Sequence, residues 1–140
     1  MTWDIAETDD IAACIALRRA VFIEEQGIAE EDEIDDLDDG ATHILARVEG
    51  APVGTARLLI SGTTGKIGRI CVLKSQRGTG LGAALVTHSI DNLRARGDLK
   101  RIALGAQEYA IGFYEKLGLR VCGPIYDDAG IPHREMEILL

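Results

Sequence analysis

The densest chemistry in the chain lies in the sixteen residues from Ile67 to Gly82. A strand-like apolar run ends near Leu73, and Lys74 to Arg77 lead to Gly78, Gly80 and Gly82, where a helix opens. The first turn of a helix leaves about four backbone N–H groups unpaired and carries partial positive charge. Glycine lets an anionic oxygen approach those groups with no Cβ in the way. Lys74 and Arg77 add full charges at the same end. This is chemistry suited to a phosphate or pyrophosphate, the alternative being a glycine-rich helix start with no ligand. Gly78-x-Gly80-x-x-Ala83 also fits a loose dinucleotide fingerprint, but four residues separate Leu73 from Gly78. The acid about 20 residues further on, Asp98, precedes the next strand instead of ending it. Gly62-Thr63-Thr64-Gly65-Lys66 lacks the spacing of a P-loop.

Charge is segregated along the chain. Ten acids fall within Glu24 to Asp39, with no Lys or Arg, whereas Gly50 to Ile90 contains no acid. Nine basic residues lie between Arg57 and Arg101, opposed only by Asp91 and Asp98. A basic middle in a chain of net charge −8 points to a local anionic ligand and away from general nucleic-acid binding.

The elements that must hold the turn follow from pattern and punctuation. Trp3 to Glu7 reads as a strand, and a helix capped at Thr8, with apolar residues at Ile11, Ile15 and Phe22, runs to about Gly27. The acidic stretch Ile28 to Gly40 reads as loop with a short helix. His43–Val48, Val53–Ile60 and Lys66–Leu73, separated by glycine-bearing turns, form an antiparallel meander. A helix over Gly78–Arg96, a strand over Arg101–Gly105, a helix over Gln107–Leu117, and strands over Leu119–Tyr126 and His133–Leu139 complete the chain. The expectation is one α/β (α+β) domain over residues 1–140, with a mixed, mostly antiparallel sheet of about seven strands and about four helices. No apolar run reaches the roughly 20 residues of a membrane helix, and no basic region followed by an apolar stretch marks a secretory signal. Cys14, Cys71 and Cys122 have no Cys-x-x-Cys spacing, no His/Cys cluster has metal spacing, and three free thiols in a cytoplasmic setting are expected.

Arg77-x-x-Gly80-x-Gly82 after a strand resembles the acyl-CoA-binding motif of the GNAT family of N-acetyltransferases. The element order matches that family, and Arg101–Gly118, with Ala106-Gln107, Phe113-Tyr114 and Leu117-Gly118-Leu119, resembles its next block. Leu17-Arg18-x-x-Val21-Phe22-x-x-Glu25-Gln26, Asp35-x-x-Asp38, His43 and Gly130-Ile131-Pro132-His133 resemble a small, mostly uncharacterised bacterial subgroup.

The resemblance implies acetyl-CoA as co-substrate and no metal. Backbone groups of Arg77, Gly78, Thr79, Gly80, Leu81 and Gly82 would cradle its pyrophosphate. Ile70, Cys71 and Val72 would offer a strand edge to the pantetheine arm, in a gap where two neighbouring strands splay apart. The Val72 N–H would polarise the thioester carbonyl. Gln107, Ala110, Phe113 and Tyr114 would flank the arm, with Tyr114 protonating the departing thiolate. Acceptors in this fold usually meet the region of the acidic segment, whose charge would attract a cationic small-molecule amine. Glu24, Glu25, Glu30 and His133 are the candidate general bases, Glu25 and His133 foremost. Many family members carry Asn where this chain has Gly105, so a side-chain hydrogen bond from that position is absent. Family members often form homodimers through the late strands. The expected activity is transfer of an acetyl group to a primary amine by direct attack in a ternary complex. The alternatives are an acyl-CoA-binding regulatory module without turnover and a nicotinamide-dinucleotide binder.

Overall fold

The computed structural model describes residues 2–140. Its seven strands are β1 (Asp4–Thr8), β2 (Thr42–Val48), β3 (Ala51–Ser61), β4 (Thr64–Val72), β5 (Arg101–Gln107), β6 (Arg120–Asp128) and β7 (Ile131–Leu139). The helices are α1 (Ile11–Arg18), α2 (Glu30–Glu33), α3 (Leu81–Ala95) and α4 (Ile111–Glu115). One sheet runs in the order β1-β2-β3-β4-β5-β7-β6, antiparallel throughout except for the parallel pair β4–β5.

Local chemistry explains most boundaries. Asp10 caps α1, its carboxylate accepting from the Ala13 N–H at 3.1 Å. The helix expected to reach Gly27 continues past Arg18, but over Arg19–Glu25 it widens to π-helical pairing. The helix expected from Gly78 starts only at Leu81. Gly78 and Gly80 sit at φ +77° and +92°, outside helical geometry, so the chain cannot turn helical before them. The helix expected over Gln107–Leu117 is shorter: a 3₁₀ turn over Glu108–Ala110 precedes α4.

The sheet has two covered faces. On one, Leu81, Leu85, Val86, Ile90 and Leu93 of α3 bury against Ile44, Ala56, Leu58, Ile67, Ile102 and Leu104. On the other, Cys14, Leu17 and Val21 of the first helix meet Leu45 and Cys71. β4 contributes to both because of a bulge. Thr55 pairs with Cys71 but Arg57 pairs with Gly68, so Arg69 and Ile70 oppose Ala56 alone. The extra residue reverses the alternation: Ile67 faces α3, whereas Cys71 faces α1. Arg69, in the bulge, holds φ +50°.

The acidic segment turns inward. The Glu33 carboxylate accepts from Arg18 Nε at 2.7 Å, with both side chains almost fully buried. Asp38 accepts from Arg18 and Arg57, and Asp35 from Arg57 and Arg69. His43 Nε2 donates to the Asp38 carbonyl at 3.0 Å. Three arginines of the sheet and first helix are thus matched by three acids, and the segment forms a strap across the α1 face. Four of the nine basic residues counted in the middle of the chain are ion-paired within the fold: Arg57 and Arg69 with the strap, Arg77 with Glu25, and Arg101 with Glu135 and Glu137.

Candidate active site

β4 and β5 pair only over Thr64–Lys66 and Arg101–Ala103, then diverge. The gap opens a cavity of about 280 Å³ lined by residues from both sides of the sheet. Ile70, Gly105 and Gln107 line it from the splayed strands, Ala110, Tyr109 and Tyr114 from the α4 side. Phe22, Gln26, Glu33, Tyr126, Asp128 and His133 line it from the α1 side and the late strands.

The edge of β4 is polar and available. The Leu73 N–H bonds to the Val53 carbonyl at 2.9 Å, toward β3. Successive residues of a strand direct their backbone groups to opposite sides, so the Val72 N–H and C=O point into the gap. The Val72 carbonyl accepts from Arg77 Nε and Nη2 at 3.2 and 3.1 Å. Beyond it, the N–H groups of Gly78, Thr79, Gly80, Gly82 and Ala83 have no partner among the described residues, the first intrahelical bond being Ala84 N–H to Gly80 O at 3.1 Å. The Phe113 ring reaches this turn, its Cζ 3.7 Å from where a Cβ on Gly82 would stand. Trp3 lies beside it, 3.7 Å from the corresponding point on Gly80.

Tyr114 packs edge-on to Phe113, and burial pushes its phenol up to about 12, so it stays protonated across the working range of a cell. His133 is nearly buried, and its Nδ1 donates to the Ile131 carbonyl at 2.8 Å, since a carbonyl only accepts. The neutral ring therefore keeps its lone pair on Nε2. Tyr126, His133 and Gln107 occupy one row across β6, β7 and β5, and the Tyr126 ring stacks on the His133 ring with centroids 5.7 Å apart.

A family model described as an acetyltransferase (GNAT) domain matches residues 11–140. The chain belongs to the GNAT acetyltransferase family. A Bacillus subtilis (strain 168) protein provisionally named an acetyltransferase is 42% identical over 132 residues, covering 92% of this chain and 89% of that protein. A Lactobacillus plantarum protein provisionally described as an N-acetyltransferase has a crystal structure with TM-score 0.91 at 32% identity, over 100% of this chain and 99% of the other. A Pseudomonas aeruginosa acyl-CoA N-acyltransferase superposes with TM-score 0.85 at 26% identity, over 97% of each chain. This GNAT protein is thus an acyl-CoA-dependent N-acetyltransferase. Its seven-stranded mixed sheet and four helices match the expected fold. No described helix is long and apolar enough to cross a membrane.

The residues singled out from the sequence fall into three groups. Arg77, Gly78, Thr79, Gly80, Leu81, Gly82, Val72 and Phe113 gather at the glycine turn, where Leu81 offers only backbone because its side chain is in the core. Ile70, Gln107, Ala110, Tyr114 and His133 line the cavity. Cys71 and Glu25 belong to neither wall. The Cys71 thiol is buried toward α1, where desolvation raises it to about 12. Glu25 binds Arg77 with both oxygens, and the Arg77 guanidinium holds its carboxyl below the usual range. Of the other acids considered, Glu30 pairs with Arg19.

Tyr126, Arg69, Glu33, Phe22 and Gln26 also line the cavity, although the sequence assigned none of them a role there. Their positions depend on strand register and on the path of the strap. One signal was present. A glycine inside a strand marks close approach of another group, and Gly105 is such a glycine. A Cβ built there would collide with the Tyr126 hydroxyl.

Proposed function

We propose that the enzyme transfers acetyl from acetyl-CoA to a primary amine of a small molecule, by direct attack with both substrates bound. The observation that carries this reading is the single cavity between the splayed β4 and β5, which Tyr114 enters from one face of the sheet and His133 from the other. The unpaired N–H groups of Gly78, Thr79, Gly80, Gly82 and Ala83 would hold the pyrophosphate, and Lys74 and Arg77 would add charge. The exposed edge at Ile70 and Val72 would pair with the pantetheine amides, and the Val72 N–H would bond the thioester oxygen as it gains charge.

The attacking nitrogen must be neutral. His133 Nε2, with its lone pair fixed by the bond from Nδ1, takes the proton from the amine. Glu25 suits that role less, because its carboxylate is committed to Arg77. The amine nitrogen bonds to the acyl carbon, the C–S bond breaks, and the Tyr114 hydroxyl gives its proton to the thiolate. The Tyr114 pKa lies well above that of a free thiol, about 8.5, so this transfer depends on positioning and on the thiolate leaving in a water-poor site. Asp128, a carboxylate of the cavity wall without an ion-pair partner among the described residues, supports a cationic acceptor. Three free cysteines support a reducing, cytoplasmic setting.

Calorimetric titration with acetyl-CoA, with NADH as control ligand, tests the cofactor half. The expected result is saturable binding of acetyl-CoA alone. Release of CoA dependent on added primary amine tests the transfer half. A folded sample that binds NADH and ignores acetyl-CoA would end this reading.

A further inference from the structure

We infer that Tyr126 is the acceptor-positioning residue of this enzyme, its hydroxyl standing where a side chain on residue 105 would otherwise reach into the reaction cavity. The inference rests on the proposed transfer to an amine and names a further residue for it.

Three observations place the group. The Tyr126 ring lies on the His133 ring, 30° from parallel, so its orientation is set by the imidazole proposed as base. Its Oη reaches β5 at Gly105, and the ring carbon that bears it, Cζ, is 3.5 Å from the point a Gly105 Cβ would occupy. His133 Cδ2, bonded to Nε2, lies 3.9 Å from the same point. The phenol oxygen and the basic edge of the imidazole therefore converge on one spot of the splayed strand. Tyr126, His133 and Gly105 all line the cavity.

The hydroxyl is also uncommitted. Tyr126 Oη has no hydrogen-bond partner among the described residues, whereas the charged groups of the opposite wall, Glu33 and Arg69, are bound to each other and to the strap. A neutral primary amine has two N–H bonds and one lone pair. With the lone pair aimed at the thioester carbon, one N–H faces His133 Nε2 and the other can donate to the Tyr126 oxygen. Two acceptors beside each other fix the rotation of the amine about its own C–N bond, which is the alignment that direct attack requires. Gly105 is what makes this geometry available, because any larger residue there would displace the phenol.

Hydroxylamine is a suitable probe, being small and largely neutral near pH 7. Its nitrogen bonds to the acetyl carbon and the thiol leaves, giving acetohydroxamate and CoA. Initial rates of CoA release are measured with acetyl-CoA saturating and the uncatalysed reaction subtracted, for the wild type and Tyr126→Phe. Acetyl-CoA affinity by calorimetry and the melting temperature are measured on both. The expected result is a fall of about tenfold in kcat/KM for hydroxylamine, the order of one lost hydrogen bond, with acetyl-CoA affinity and melting temperature unchanged. Phe keeps the ring and its stacking, so a merely space-filling role for Tyr126 would leave the rate unchanged, and that result overturns this inference alone. A wild type that binds acetyl-CoA yet does not accelerate hydroxylaminolysis overturns the proposed transfer with it. As a second variant, Gly105→Ala should lower the melting temperature, and adding Tyr126→Ala should restore it. Additive effects of the two changes would show that the phenol does not occupy that space.

Discussion

The two faces of the sheet solve different problems with different chemistry. The α3 face is apolar up to the cavity, and its polar function resides in backbone: the N–H groups of Gly78 to Ala83 and the edge of β4. The α1 face is built on side-chain charge, with Arg18, Arg57 and Arg69 held by Glu33, Asp35 and Asp38. A cofactor of one structure can be recognised by backbone, which varies little when side chains change. In the proposed transfer an acceptor would have to be distinguished from other amines, which calls for side chains. The contrast also assigns risk: the α3 face should be sensitive to glycine replacement, the α1 face to loss of charge.

The largest effect that would break this contrast is on the strap. Glu33→Gln should lower the free energy of unfolding by about 3 kcal/mol in urea titration, because it weakens a buried ion pair while Asp38 still holds Arg18. A change within error would mean that the strap is surface decoration. On the other face, Tyr114→Phe should cut kcat about a hundredfold while calorimetry shows unchanged acetyl-CoA affinity. Equal losses in both quantities would make Tyr114 part of the binding wall only. Asp35 sharpens the comparison through pH. The Arg57 guanidinium holds its carboxyl at about 2, below the ordinary 3.8. Because the folded value is depressed, the stabilisation is complete above about pH 4 and is lost as pH falls toward 2. It amounts to about 2 kcal/mol at most. Asp35→Asn should flatten stability against pH in that window, and a curve parallel to the wild type would contradict the ion pair. The smallest effect is at the boundary between the faces. Glu25→Gln frees Arg77 and should tighten acetyl-CoA binding two- to fivefold at low salt, with the difference vanishing at high salt. Weaker binding would show that Glu25 holds Arg77 in its working position.

Elements whose cause is local were legible in the sequence. The meander, the helix after the glycine turn and the late hairpin follow from alternation and turn residues, and Tyr114 and the glycine turn could be located by motif. The bulge at Arg69–Ile70 was not legible, because nothing in Gly68-Arg69-Ile70-Cys71 announces an extra residue against Ala56. It decides that the Cys71 side chain turns away from the cofactor edge. Pairing at long range was equally hidden. A run of ten acids does not say which three fold inward, and Glu25 meets Arg77 fifty-two positions later. Tyr126 reaches the site only through the register of β6 on β7, which two residues near Gly123 shift.

The collision between a side chain at position 105 and the Tyr126 phenol also bears on descent. The coupling runs one way: glycine at 105 leaves residue 126 free to vary, whereas a side chain at 105 requires the phenol to move. A side chain gained at 105 would displace the exposed Tyr126 phenol or require a smaller residue at 126. Under the role proposed for the phenol, a single substitution at 105 would then alter acceptor preference.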